Sequence, residues 1–229
     1  MYYGYGMDYA YLGIIILSIV LGGITQSYIN SQYKKWSRVP ASMGKTGAQV
    51  ARQMLDSSGA SSVGIGTVGG HLTDYYDPRD NNLHLSSENY EGGSVASVAV
   101  ACHEAGHAVQ TAKGYAFGRF RTALVPVVNF TSRTWAIVLV IGMVLGIAGL
   151  TQLAVAFFAF SVLFQLVTLP VEIDASRRAV RYLSTAGGGI DERGARQVLT
   201  AAALTYVAAL ATTLMQLLRF LIILNDRRS

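Results

Sequence analysis

Cysteine is almost missing from this sequence. Cys102 is the single example among 229 residues, which excludes an internal disulfide and suits a reducing compartment. Charge is scarce too, at 14% Asp, Glu, Lys and Arg against about 25% in ordinary soluble domains. The shortage is local. No charged residue falls between Asp8 and Lys34, between Arg133 and Glu172, or between Arg196 and Arg219, runs of 25, 38 and 22 residues. No internal repeat or long low-complexity tract occurs.

The uncharged runs are apolar, in a chain that is 52% hydrophobic with a mean hydropathy of +0.37. A spanning helix needs about 20 such residues, so the first and third runs each fit one span. As one helix the middle run would measure roughly 57 Å, too long for a single crossing. Gly146, Gly149, Thr151 and Gln152 offer a reversal, which predicts a hairpin with spans near 135–150 and 153–169. The front of the first span has no Lys or Arg and no small-x-small cleavage site follows it. It is therefore expected to stay as an anchor and not to be removed as a signal peptide. Tyr2, Tyr3, Tyr5, Tyr9 and Tyr11 beside it read as an interfacial aromatic anchor.

Fifteen of the 18 Lys and Arg flank the polar segments, among them Arg119, Arg121 and Arg133 ahead of the second span. Arg219, Arg227 and Arg228 alone lie on the other side. The positive-inside bias then places the polar segments in the cytoplasm, in a multi-pass protein of the cell (inner) membrane. A net charge of +5 is on this reading a topology signal and not a nucleic-acid surface.

Local signals fill in the polar segments. Thr46 with Gln49 reads as a capping box for a helix over 47–55, and 63–68 as a short strand. Gly44-Lys45-Thr46 resembles the end of a phosphate-binding loop, but Val39 stands where that loop needs glycine, so nucleotide binding is rejected. Residues 83–86 alternate like a strand. Ser94 is placed to cap a helix from 95 to about 112. Pro170 is expected to close the third span and start a new helix, ending at Gly187-Gly188-Gly189. Asp191 should cap the run into the fourth span.

The helix predicted over 95–112 carries His103-Glu104-Ala105-Gly106-His107. Two histidines four apart project from nearly one helical face, so both can reach one metal ion. The glutamate after the first can address a metal-bound water. This is the arrangement of zinc metallopeptidases. A catalytic zinc keeps three protein ligands. Of the 13 acids, Glu172 and Asp174 sit just after an apolar span, where an unpartnered acid is costly. Glu172 is the expected third ligand. Asp174 is expected against a histidine nitrogen or against Arg178. One Zn²⁺ per chain would lower the pKa of its water toward about 7, with Glu104 as the base. Tyr115, Arg178 and Tyr182 are candidates for oxyanion stabilisation. Leu83, His84 and Leu85 could form an edge strand that pairs with extended peptide. His71 and His84 otherwise read as solvated or core histidines, and Cys102 as a small buried residue or a redox-sensing thiol.

Longer stretches carry a family resemblance. These are Leu72-Thr73-Asp74-x-Tyr76-Asp77-Pro78-Arg79, Leu85-Ser86, Ser94-Val95-Ala96, Val100-Ala101-x-His103-Glu104-Ala105-Gly106-His107-Ala108-x-Gln110 and Leu169-Pro170-Val171-Glu172-x-Asp174-Ala175-Ser176. Spread over residues 45–182, the match resembles the YugP-type membrane zinc metallopeptidases. The resemblance implies a membrane-bound, zinc-dependent peptidase of the gluzincin sort, its zinc-site motif on His103, Glu104 and His107. Related peptidases place a ligand glutamate where Glu172 stands. They often carry Asp at Ser176, and the family often has His at Tyr75, so this chain departs at both positions.

The expected fold is a mainly α membrane protein, four transmembrane helices with a small α+β zincin-like domain. Its divisions are an anchor (1–33), a catalytic region (34–133), a hairpin (134–170), a helix bearing the third ligand (171–197) and a final span with tail (198–229). The expected activity is zinc-dependent endopeptidase action on peptide or membrane-protein substrates at the cytosolic membrane interface, with the lipid bilayer as a partner; an oligomer is compatible. Two other classes compete. One is a catalytically silent scaffold that retains its zinc site. The other is an intramembrane-cleaving metalloprotease, whose motif would lie inside a long span. A metal transporter is disfavoured because no span holds a ladder of acids or histidines.

Overall fold

A computed structural model describes residues 9–226; Tyr2, Tyr3, Tyr5, Arg227 and Arg228 lie outside them. In chain order the elements are α1 (Tyr9–Trp36), α2 (Gly47–Ser57), β1 (Gly64–Val68), β2 (Tyr75–Asp77), β3 (Asn82–Ser86), α3 (Ser87–Tyr90), α4 (Val95–Ala112), α5 (Ala116–Val144), α6 (Ala148–Ala186) and α7 (Gly189–Asp226). The chain is mostly helical, and α1, α5, α6 and α7 are long and apolar enough to cross a membrane. Two compact units form. Among the described residues, one takes 9–26, 121–167 and 205–226, the other Ser27–Phe120 and Thr168–Leu204.

The first unit is apolar on its outside. Ile16, Ile19 and Ile24 of α1, Ile137 and Val144 of α5, and Leu218 and Ile222 of α7 are exposed, as a lipid-facing surface requires. Its helices meet through aromatic rings, with Trp135 5.0 Å and Phe220 5.4 Å from Phe158. The Thr213 hydroxyl donates to Gln165 at 3.0 Å, a polar tie between two helices in apolar surroundings.

Three expectations for these helices are corrected. The reversal centres on Gly146, which alone among the predicted turn residues has a positive φ (+67°). Gly149, Thr151 and Gln152 are helical, and a Cβ on Gly142 would stand 2.8 Å from the Thr151 nitrogen, so α5 and α6 cross closely there. With the turn at Gly146, the eleven residues after Arg133 cover only about 17 Å of a roughly 30 Å hydrocarbon core. Arg119, Arg121 and Arg133 accordingly lie within α5 and not before it. Pro170 does not restart a helix, because α6 runs through it. Pro170 removes one backbone hydrogen bond, and α6 nevertheless continues unbroken to Ala186.

The second unit packs α4 at its centre. The Thr46–Gln49 capping box is present and opens α2. Gly47 lets α2 settle onto α4, since a Cβ there would collide with the Asn89 carbonyl and reach 3.1 Å from Ala101. Val50, Leu55, Val95, Val98, Ala101 and Ala105 are fully buried in the shared core. Ser94 caps α4 by accepting from the Ser97 backbone N–H. The strands form a sheet of order β1-β3-β2, with β1 parallel and β2 antiparallel to β3. Asp191 does not cap α7, which starts at Gly189. Its fully buried carboxylate instead accepts from the Ser42 backbone N–H at 3.0 Å and from the Ser42 hydroxyl at 2.5 Å, a demand from tertiary packing that local reading does not contain.

Candidate metal centre

Helix periodicity brings the two histidines together. One turn apart on α4, their rings lie 4.8 Å centre to centre at 80°. The third group arrives on α6, and glycine makes the approach possible. A Cβ on Gly106 would stand 2.7 Å from the Ala175 carbonyl oxygen, so the two backbones are nearly in contact. Glu172 is thereby buried against the imidazoles. Its Oε2 lies 3.3 Å from His103 Nε2 and 3.4 Å from His107 Nε2. The three donor atoms all lie within 4.8 Å of one another, a set that could hold a metal ion. Around a tetrahedral zinc with bonds near 2.0–2.1 Å, donors stand roughly 3.3 Å apart. Two imidazole nitrogens and one carboxylate oxygen are also a zinc-type donor set.

The other ring nitrogens are held from behind. His107 Nδ1 lies 3.1 Å from Gln110 Oε1. The Gln110 amide nitrogen donates to the Val171 carbonyl and to Asp174 Oδ2, each at 2.8 Å. Those two acceptors fix which end of the amide faces the imidazole. His107 Nδ1 must then carry the proton, which leaves the Nε2 lone pair free for a cation. His103 Nδ1 lies 3.2 Å from the Ser176 hydroxyl, which can donate or accept. Burial opposes a proton on His107, but the adjoining Glu172 carboxylate outweighs it and raises the imidazole above its ordinary value. A cation and a proton thus compete for the same Nε2.

Glu104 is buried at 9% exposure, and its Oε2 accepts from the Tyr76 backbone N–H at 3.1 Å. Desolvation by burial is the main cause that pushes its carboxyl above the ordinary range. Asp174 does not touch a histidine. It binds Arg178 Nε at 2.6 Å and reaches His107 only through Gln110. Sequence reasoning assigned Gln110 no part. Its signal was its spacing, three residues after His107 on one helical face.

Other candidates lie elsewhere. Residues 83–85 are not an edge strand, because β3 is the middle strand of the sheet. Leu83 and Leu85 are fully buried; His84 bonds Asp80 at 2.9 Å and stacks on Tyr75 at 4.6 Å. The open edge nearest the site belongs to β2, whose Tyr76 N–H turns to Glu104. His71 pairs with Glu88. Arg178 is occupied by Asp174, and Tyr182 packs on the hydrophobic core. Tyr115 follows α4, with burial as the first cause raising its phenol and Asp174 the second. Burial pushes the enclosed Cys102 thiol up, away from the thiolate that redox chemistry needs. Asp74, from the matched stretch, accepts from the Ser86 N–H at 2.8 Å and from the Asn89 amide at 2.8 Å, and so anchors the loop before β2.

No solved structure matches this chain. Over 219 residues it is 42% identical to the "Putative membrane protease YugP" of Bacillus subtilis (strain 168), covering 93% of this chain and 97% of that protein. Residues 11–225 match the family described as "Putative neutral zinc metallopeptidase", and the chain belongs to that family.

Proposed function

We propose that this protein is a membrane-embedded zinc endopeptidase whose site opens to the cytoplasm at the membrane surface. The observation that carries the reading is the convergence of His103 Nε2, His107 Nε2 and Glu172 Oε2 beside the buried carboxylate of Glu104. These three atoms would hold the zinc. When bound, zinc acidifies water and polarises a carbonyl. Glu104 accepts the proton of the attacking water and delivers it to the departing amine. Gln110, steadied by Asp174 and Val171, keeps His107 in the tautomer that offers Nε2. A substrate peptide would lie along the open edge of β2. The motif helix α4 is not among the four candidate spans, which favours a site beside the bilayer over cleavage within it. With Arg119, Arg121 and Arg133 set aside because they lie within α5, the basic residues that adjoin the polar segments, among them Lys34, Lys35, Arg38, Arg177, Arg181 and Arg193, still favour the cytoplasmic side.

Purified protein is expected to carry about one zinc per chain and to cleave casein-type substrates. A strong chelator should abolish cleavage and added zinc restore it. Inverted membrane vesicles should cleave an added substrate that right-side-out vesicles leave intact. Cleavage that persists after complete metal removal would overturn the reading. A Gln110→Ala change is expected to weaken zinc binding by about 10- to 100-fold in competition with a chromophoric chelator. Wild-type affinity in that variant would remove Gln110 from the positioning of His107.

A further inference from the structure

A groove of about 520 Å³ lies between α6 and α7 within the second unit. Its basic rim is Arg177, Arg181 and Arg196, and Ile173, Leu199 and Ala203 line its apolar part. Glu192 is the one acid in the lining, and Arg196 occupies it at 2.8 Å. Arg177 and Arg181 have no hydrogen-bond or ion-pair partner among the described residues for their guanidinium groups. The groove therefore presents two uncommitted cations above an apolar wall.

Its position along the two helices selects the ligand. The long uncharged run of α6 ends at Val171, and that of α7 begins at Gln197. Leu199 and Ala203 belong to the α7 run and Ile173 lies two residues past the α6 run, while Arg177, Arg181 and Arg196 stand just outside the runs. We propose that this groove binds the headgroup of an anionic phospholipid, the phosphate held by Arg177 and Arg181 and the upper acyl chain lying against Ile173 and Ala203. Guanidinium groups match phosphate oxygens in geometry and charge, and basic pockets between membrane helices on the cytoplasmic side suit such headgroups. A free phosphate satisfies the arginines but leaves the apolar wall uncovered. Ser176, whose hydroxyl faces His103, also lines the groove, so the lipid would sit one side chain away from the candidate metal centre.

The test uses the full chain in detergent, with native mass spectrometry and titration of phosphatidylglycerol against phosphatidylcholine. Phosphatidylglycerol should bind in preference. Arg177→Gln with Arg181→Gln should weaken it about tenfold or more, with melting temperature and zinc content unchanged. The exposed Arg181→Gln alone serves if the double variant does not fold. Arg38→Gln with Lys113→Gln, two basic positions outside the groove, should leave phosphatidylglycerol binding as it was. Equal affinity for the two lipids would overturn the proposal, as would an equal loss in the Arg38/Lys113 control. Displacement of the lipid by millimolar inorganic phosphate would reassign the groove to a free anion.

Discussion

Replacing Glu104 by glutamine is expected to lower the rate of peptide hydrolysis by about 10²- to 10⁴-fold and to leave the zinc content unchanged. Glutamine keeps the size of the side chain, and its oxygen can still accept the Tyr76 N–H that holds Glu104 in place. What disappears is the group that takes a proton and gives it back. Glu104 is not one of the three converging donors, so the variant should bind metal like the wild type. Parallel measurement of kcat on a fluorogenic peptide and of zinc per chain decides the matter. A variant that cleaves at the wild-type rate would sink the assignment of the base. One that loses its metal would place Glu104 among the ligands.

The Glu172→Ala variant should fail in the opposite order. Removing one of three donors is expected to weaken zinc binding by well over a hundredfold, beyond what loss of a supporting partner costs, and to bring hydrolysis to background as a consequence. Glu172 is 3% exposed, and deleting it also strips both imidazoles of their shared carboxylate. Glu172→Gln separates these effects, because it preserves volume and hydrogen bonding while offering a much poorer ligand. Zinc titration of both variants against a competing chelator is the measurement. Stoichiometric binding at wild-type affinity in Glu172→Ala would show that the third donor comes from elsewhere.

How far the sequence could be read depended on range. Ser94, Thr46 and Gln49 announced their helices because a cap acts within one turn. The four apolar helices followed from stretches without charge, since lipid excludes ions whatever the tertiary fold. The histidine pair was legible for the same local reason. Glu172 was reachable only because acids near an apolar span are few. The readings that failed were non-local. Whether residues 83–85 lie at an edge depends on where β1 and β2 pair, which alternation along one strand does not encode. The preference of the turn for Gly146 over Gly149 reflects how closely α5 and α6 pack at Gly142. Asp191 has the chemistry of a cap, yet Ser42, far away in sequence, claims its carboxylate.

The order in which the donors occur along the chain has a bearing on biosynthesis. Between His107 and Glu172 lies the whole hairpin from α5 into α6. A ribosome that has released the histidine pair has yet to deliver the carboxylate, and both legs of the hairpin must emerge before α6 can meet α4 at Gly106. On the proposed function, the three-donor set would stay incomplete on the nascent chain until α6 has followed α5 out of the ribosome.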